Sequence, residues 1–149
     1  MILYRFTNKN YSTDISGEGA RLQGGRWNSK GFPVVYTSPT ISLSLLEVVI
    51  HSTSYEEIQT NTLMKLNIPD SFAALLTPLS LKPDWRDDPD YSRYIGNSFL
   101  KSKKSLLLQV PSVIIPEEYN VLINPLHPDS RKIKILSASP FQFDYRLFK

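Results

Sequence analysis

The sequence predicts an α+β fold, and three observations support this class. Short β-branched or leucine-rich segments bounded by Pro, Asn or Asp indicate six to eight strands. Only one or two segments show helical periodicity. Strands and helices do not alternate as they do in βαβ units, which argues against a doubly wound parallel sheet. With 149 residues, the chain is expected to form one domain over 1–149.

The first forty residues are predicted to hold two strands separated by a loop. Residues 2–6 predict a strand, and Val34 to Thr37 predict a second one. Between them, residues 14–32 contain five of the six glycines and little apolar periodicity. They therefore predict a loop that closely approaches another part of the protein or a ligand.

A helix is predicted to follow over residues 41–51, capped by Ser38 or Thr40. Its sequence is apolar on nearly every face, which predicts a buried helix, and Glu47 would be buried with it. An unpaired buried carboxylate is costly, so Glu47 must have a partner, a shifted pKa or a polar cavity. A structural partner and a catalytic role are both open for Glu47.

The second half of the chain is predicted to be mainly strands, with one further helix. Residues 89–103 place apolar side chains at four-residue spacing and predict that helix. The predicted strands are Thr62–Ile68, Phe72–Leu75, Ser105–Val110, Val113–Ile115, Asn120–Ile123 and Lys132–Leu136.

Composition excludes several kinds of protein. The chain has no cysteine, so disulfides, thiolate nucleophiles and Cys-ligated metal centres are excluded. His51 and His127 lack metal-ligand spacing, and no metal site is expected. The N-terminus does not resemble a signal peptide and no run is long enough for a membrane helix, so we expect a cytoplasmic protein with no membrane contact. The net charge of +3 suits a phosphate-bearing small molecule as well as nucleic acid.

Three polar residues suggest chemistry on a dinucleotide. Arg26, in a glycine-rich segment, can bind phosphate or ribose oxygens. Tyr36, at a strand end, offers a ring face and a hydroxyl. Glu47 can stabilise positive charge on a ribose during glycosidic cleavage. For Arg5, contact with a phosphate and an ion pair with Glu47 are both open.

The order of several motifs resembles the RES domain family. The strongest part is Gly24-Gly25-Arg26-Trp27-Asn28, followed ten residues after Arg26 by Tyr36 and eleven after that by Glu47. The resemblance covers residues 3–146. The other matching segments are Leu3-Tyr4-Arg5-Phe6, Gly17-Glu18-Gly19-Ala20, Val34-Val35-Tyr36-Thr37-Ser38, Leu45-Leu46-Glu47, Val110-Pro111-Ser112 and Asn120-Val121-Leu122-Ile123-Asn124-Pro125.

This resemblance implies an ADP-ribosyltransferase-like core of short strands in two packed sheets with a few helices. It also implies a toxin of a bacterial toxin–antitoxin pair that consumes NAD+ by hydrolysis or phosphorolysis of the nicotinamide–ribose bond. Glu47, Arg26 and Tyr36 would be catalytic, and Arg26 and Tyr36 would also contact NAD+. The other residues that the resemblance assigns to NAD+ binding are Ser112, Asn28 and Asn124.

The same resemblance implies an Xre-like antitoxin as partner and NAD+ as substrate, with no cofactor. Direct contact with nucleic acid is not expected, and a homodimer is compatible with the sequence. Two alternatives stay open. One is a mono-ADP-ribosyltransferase acting on a protein. The other is a catalytically inert module that binds a nucleotide or RNA through the glycine-rich segment and basic residues.

Overall fold

The strands form two three-stranded antiparallel sheets in the computed structural model, which describes residues 1–149. The first sheet has the order β1-β3-β6 and consists of β1 (Ile2–Asn8), β3 (Asn61–Asn67) and β6 (Lys134–Pro140). The second has the order β2-β5-β4 and consists of β2 (Val35–Thr37), β4 (Leu107–Pro111) and β5 (Tyr119–Ile123). The predicted α+β class with two packed sheets is confirmed.

Five helices connect and cover the sheets. They are α1 (Glu18–Gln23), α2 (Ile41–Ile50), α3 (Tyr55–Ile58), α4 (Asp70–Ala73) and α5 (Pro89–Ser102). At the start of α2 the hydroxyl of Thr40, and not that of Ser38, accepts a hydrogen bond from the Leu43 amide at 3.1 Å. Asp88 caps α5 in the same way. No helix combines the length and apolarity needed to cross a membrane.

The predicted loop over residues 14–32 contains a helix, α1. An isolated helix of six residues is unstable in water, and α1 has no apolar stripe that would reveal it in the sequence. Its side chains instead form a local ion pair, Arg21 with Glu18. The remainder of the segment is irregular, as predicted.

Two predicted strands are wrong. The segment Phe72–Leu75 overlaps α4, which begins directly after Pro69. The segment Val113–Ile115 is a turn, because the amides of Ile114 and Ile115 both donate to the Ser112 hydroxyl. A local side-chain acceptor therefore replaces the strand ladder in this turn.

The main hydrophobic core lies between the two sheets. In the first sheet Leu3 pairs with Leu66 and Arg5 pairs with Met64, so Arg5 lies on the side that faces this core. Backbone hydrogen bonds between Tyr4 and Ser38 join β1 to the end of β2. The buried core residues are Leu3, Val35, Met64, Leu66, Ile68, Leu106, Leu107, Val121, Ile123 and Ile133.

The other face of the second sheet packs against α5 and the glycine-rich segment. The shared buried residues are Trp27, Val34, Phe99, Leu100, Val110 and Leu122. Gly96 allows this packing, because a Cβ at that position would lie 1.6 Å from the Trp27 carbonyl oxygen. The backbone of α5 thus rests directly on the segment that carries Arg26.

The expectation that α2 is buried on every face is wrong. Leu43 and Ser44 are buried, but Leu46 and Ile50 are 37% and 63% exposed. One side of the helix packs against β1. Glu47 is consequently half-buried, at the boundary between the packed and the exposed side of the helix.

Candidate functional site

The Glu47 carboxylate is held through one of its two oxygens. Its Oε1 accepts hydrogen bonds from Asn120 Nδ2 at 2.7 Å and from Ser112 Oγ at 3.1 Å. Neither a guanidinium nor an ammonium group lies within ion-pair distance. The expected alternative of a structural ion pair with Arg5 is therefore wrong, and Oε2 has no protein donor.

Ser112 is fixed where β4 ends. It is completely buried, and its amide donates to the Glu118 carbonyl at 2.9 Å. Its hydroxyl accepts from two amides of the following turn, which leaves its single proton to donate to Glu47. Because these bonds fix the hydroxyl, its proton points at the carboxylate before any ligand arrives.

Two residues that the sequence analysis did not assign to the site complete this network. Ser38 Oγ donates to Asn120 Oδ1 at 2.7 Å, and the Nδ2 of the same amide donates to Glu47. Ser38 follows β2 on the same face as Tyr36, opposite Asn120 of the neighbouring strand. Because Thr37 between them is also polar, the sequence shows no alternation that would place Tyr36 and Ser38 on one side of the sheet.

The Tyr36 hydroxyl forms two hydrogen bonds with the glycine-rich segment. The hydroxyl donates to Asn28 Oδ1 at 2.6 Å and accepts from the Trp27 amide at 3.0 Å. Burial raises the pKa of the Tyr36 hydroxyl, so the group stays protonated and is unsuited to acid–base work. Gly25 is required beside it, because a Cβ there would lie 2.7 Å from the hydroxyl oxygen. Only the ring of Tyr36 is left for a ligand.

Asn28 and Asn124, which the resemblance assigns to NAD+ binding, are both buried and hydrogen-bonded within the protein. Asn28 is fully buried, and its Nδ2 donates to the carbonyls of three residues in the surrounding segment. Asn124 is 1% exposed, donates to the Leu100 carbonyl and accepts from the Leu126 amide. Asn28 thus bonds to backbone carbonyls and to the Tyr36 hydroxyl, and Asn124 bonds to backbone groups, as is typical of structural side chains.

Arg26 ties the glycine-rich segment to residues 78–88. Its Nη2 donates to the carbonyls of Trp85 and Arg86 at 2.9 and 2.5 Å, and its guanidinium lies 5.6 Å from the Trp85 ring centroid. Its buried Nε has no partner. Burial lowers the pKa of this guanidinium, as expected for a cation without a carboxylate in contact.

Arg5 is the second guanidinium that has a buried Nε without a partner. Its buried Nε–H donates to no acceptor in the protein, and its side chain forms no salt bridge. Burial lowers its pKa, and the charge of Asp14 partly offsets this. A buried cation without partner is expensive, so the site suits an anion from outside the protein.

The fold gathers these groups at one edge of the second sheet. Strands β2 and β4 end where the antiparallel β5 begins, which brings Tyr36, Ser112 and Asn120 to that edge. Arg5 is attached to it through the Tyr4–Ser38 backbone pair. No direct bond joins Arg26 to Glu47. A groove of about 480 Å³ is lined by Trp85, Pro111 and Glu118 among other residues, but not by Arg26, Tyr36, Glu47 or Ser112.

Comparisons with known proteins agree with this architecture. The protein-family model described as "RES domain" matches residues 2–144. The chain is 38% identical to the "Prs ADP-ribosylating toxin" of Sphingobium sp. strain YBL2, covering 91% of this chain and 88% of that protein. It is 38% identical to "Toxin Res" of Yersinia enterocolitica, covering 99% of both chains. It is 37% identical to "Toxin Res" of Pseudomonas putida KT2440, covering 99% of this chain and all of that one.

A solved structure shares the fold. The match is to a chain in the crystal structure of the M. tuberculosis MbcT-MbcA toxin-antitoxin complex, with a TM-score of 0.69 and 18% identity. It covers 95% of this chain and 84% of the other. The family match and the relatives extend over nearly the full length of the sequence, and the motifs around Arg26, Tyr36, Glu47 and Ser112 lie within it. The chain therefore belongs to the RES domain family.

Proposed function

We propose that this protein is the toxin of a toxin–antitoxin pair and that it consumes NAD+ by cleaving the nicotinamide–ribose bond. One observation carries the proposal: Glu47 is held by two neutral donors on Oε1, has no cationic partner and presents a free Oε2. A carboxylate arranged in this way keeps its charge available for a positive centre that forms during a reaction.

The reaction needs such a charge. As the bond breaks, its electron pair leaves with the nicotinamide, which departs as a neutral molecule, and positive charge develops on the ribose ring. Glu47 Oε2 would stabilise that charge. Water then adds to the ribose carbon and releases a proton, which gives ADP-ribose. In phosphorolysis an oxygen of inorganic phosphate forms the bond in place of water.

Two guanidiniums suit the pyrophosphate of the dinucleotide. Both Arg5 and Arg26 have a buried Nε without a partner, and neither forms an ion pair with a carboxylate. Phosphate oxygens are the acceptors that such groups bind best. In this proposal Arg5 and Arg26 bind the phosphates, while the Tyr36 ring packs near the nicotinamide and Ser112 holds Glu47 in place.

The first experiment measures nicotinamide release from NAD+ by the purified protein, with and without inorganic phosphate. Hydrolysis yields ADP-ribose in both buffers, whereas phosphorolysis yields its phosphorylated form only when phosphate is present. If neither buffer supports nicotinamide release and no protein becomes labelled, the proposal is refuted. Steeply salt-dependent RNA binding without NAD+ turnover would favour the inert binding module instead.

A mono-ADP-ribosyltransferase is the second candidate, favoured by the name of the Sphingobium relative, an ADP-ribosylating toxin of similar length. In this case a nucleophilic side chain of a target protein replaces water at the ribose carbon. Incubation of the protein with labelled NAD+ and a bacterial lysate separates the candidates. Label transferred to a protein band supports the transferase, and free ADP-ribose as sole product supports the hydrolase.

A partner antitoxin follows from the same proposal. The structural neighbour was solved as a toxin–antitoxin complex, and we propose an antitoxin of the Xre-like type for this chain as well, with the pair acting in the cytoplasm. Production of the toxin alone should arrest growth, and production of Glu47→Gln should not. Normal growth with abundant, soluble wild-type protein would contradict toxicity.

A further inference from the structure

We propose that Asn120 and Ser38 form a positioning relay for Glu47, an inference that rests on the proposed NAD+ chemistry. Neither residue is placed to serve as a nucleophile or acid, because each uses its polar atoms on the other or on Glu47. Their role is to fix which carboxylate oxygen faces the substrate.

The direction of each hydrogen bond in the relay is determined by its chemistry. A carboxylate oxygen only accepts, so the group of Asn120 that faces Glu47 at 2.7 Å must be the Nδ2 amide nitrogen. The amide oxygen of Asn120 then faces Ser38, whose hydroxyl donates to it at 2.7 Å. Ser38 is 3% exposed, so water does not compete for this bond. The carboxylate selects the orientation of the amide, and the serine hydroxyl satisfies the amide oxygen in that orientation.

The backbone holds both residues in place. The Ser38 amide donates to the Tyr4 carbonyl, and its carbonyl accepts from the Tyr4 amide, both at 2.9 Å. Asn120 lies in β5 opposite Val110 of β4. Ser38 and Asn120 therefore lie on two elements that are held by backbone bonds to neighbouring strands, whereas Glu47 lies on a helix, α2. Through these hydrogen bonds, the relay holds the Glu47 carboxylate in a fixed orientation relative to the sheet.

The Asn120 and Ser112 bonds together engage only Oε1. Without the Asn120 amide, the carboxylate would keep only the Ser112 bond, which at 3.1 Å is the longer of the two. The carboxylate could then rotate about its Cγ–Cδ bond, so that Oε1 and Oε2 exchange positions. Misplacement of a catalytic group by about 1 Å can cost on the order of 100-fold in rate. The loss should appear in kcat and leave NAD+ affinity nearly unchanged, because the relay does not touch the phosphates.

The test compares Asn120→Ala, Ser38→Ala and the double variant in steady-state NAD+ turnover. We expect Asn120→Ala to lower kcat by about 10- to 100-fold. Asn120→Asp, of nearly the same size, should be at least as damaging because it places a second carboxylate beside Glu47. Ser38→Ala should lower kcat by about threefold or more when Asn120 is present and have no effect when it is absent, since residues of one network are not additive.

NAD+ affinity is measured without turnover by titrating NAD+ into the Glu47→Gln variant and into the double variant Glu47→Gln with Asn120→Ala. The dissociation constants of these two variants should agree within about threefold. Asn61→Ala is the matched control: Asn61 also donates one amide hydrogen bond, to the Ile58 carbonyl at 3.0 Å, but it lies in the first sheet. Its kcat should equal that of the wild type.

An Asn120→Ala variant with wild-type kcat overturns the inference while the proposed function stands. So does additivity of the two alanine substitutions, or a loss confined to NAD+ affinity. Absence of nicotinamide release from the wild type itself overturns the proposed function and the relay together.

Discussion

Replacement of Gly96 by alanine tests whether α5 supports the segment that carries Arg26. The added Cβ would lie 1.6 Å from the Trp27 carbonyl oxygen, and Cβ atoms essentially never come closer than 3.0 Å to such a neighbour. The two backbones must therefore separate by 3.0 − 1.6 = 1.4 Å. Such overpacking against a backbone atom costs about 3 kcal/mol, at the upper end of the range for core insertions. For a chain of this length that corresponds to a fall in Tm of about 6–12 °C.

Gly19→Ala is the matched control. Gly19 also lies in a helix, α1, but a Cβ there would meet nothing within 4 Å. Alanine is the better helix former, so this variant should gain up to about 1 kcal/mol. Thermal and urea unfolding of both variants, followed by circular dichroism, give the comparison. A Gly96→Ala variant that melts within about 2 °C of the wild type, less than 1 kcal/mol, would refute the packing argument.

Three further predictions concern the site and its surroundings. Tyr36→Phe should lose about 2–4 kcal/mol of unfolding free energy, because two buried partners of the hydroxyl are left unpaired; unchanged urea unfolding would contradict this. Arg5→Met should raise the free energy of unfolding without ligand by about 1–3 kcal/mol and weaken NAD+ binding about tenfold or more. Lys9→Met, which removes an exposed charge, should do neither. An Arg5→Met variant that is less stable than the wild type and binds NAD+ equally well would contradict the assignment of Arg5 to phosphate binding. The third concerns Asp88, whose pKa is lowered from 3.8 by the hydrogen bond from Lys82. Because this pKa is lower in the folded than in the unfolded state, the ionised carboxylate contributes stability above pH 3.8. That contribution is lost as the pH falls through the pKa of the folded state. The Tm of wild type should therefore fall more steeply below pH 4 than that of Asp88→Asn, which keeps the helix-capping oxygen; parallel curves would contradict this.

Much of the fold was predictable because its elements carry strong local signals. The strand around Leu3 and the helix α5 follow from their apolar patterns, and Thr40 is a typical helix cap. The turn after Ser112 was not predictable from propensity, since Val113, Ile114 and Ile115 favour strands. There a single serine hydroxyl accepting two amides overrides the preference of the following residues.

The site was predictable only in part. The resemblance to a family assigned Glu47 and Ser112, which the fold brings into contact. Burial of Glu47 was inferred from the apolar neighbours along α2, but sequence does not tell which faces of a helix are covered. The roles of Asn28 and Asn124 depend on backbone carbonyls that come from distant segments and from irregular loops. Asn120 lies in one of the motifs that resemble the family, yet its bond to Glu47 spans 73 positions and depends on the strand register.

In the proposed reaction, the free Oε2 of Glu47 stabilises positive charge on the ribose of NAD+. Glu47→Gln tests it most directly, because the amide oxygen can still accept from Ser112 and Asn120 while an uncharged nitrogen replaces Oε2. The measurement is the rate of nicotinamide release by this variant and by the wild type, at equal concentrations of folded protein with matching thermal unfolding. We predict a loss of at least about 1,000-fold, of the order found when an electrostatic stabiliser is removed. Nicotinamide release at a rate near that of the wild type would show that the charge of Glu47 is not needed for cleavage.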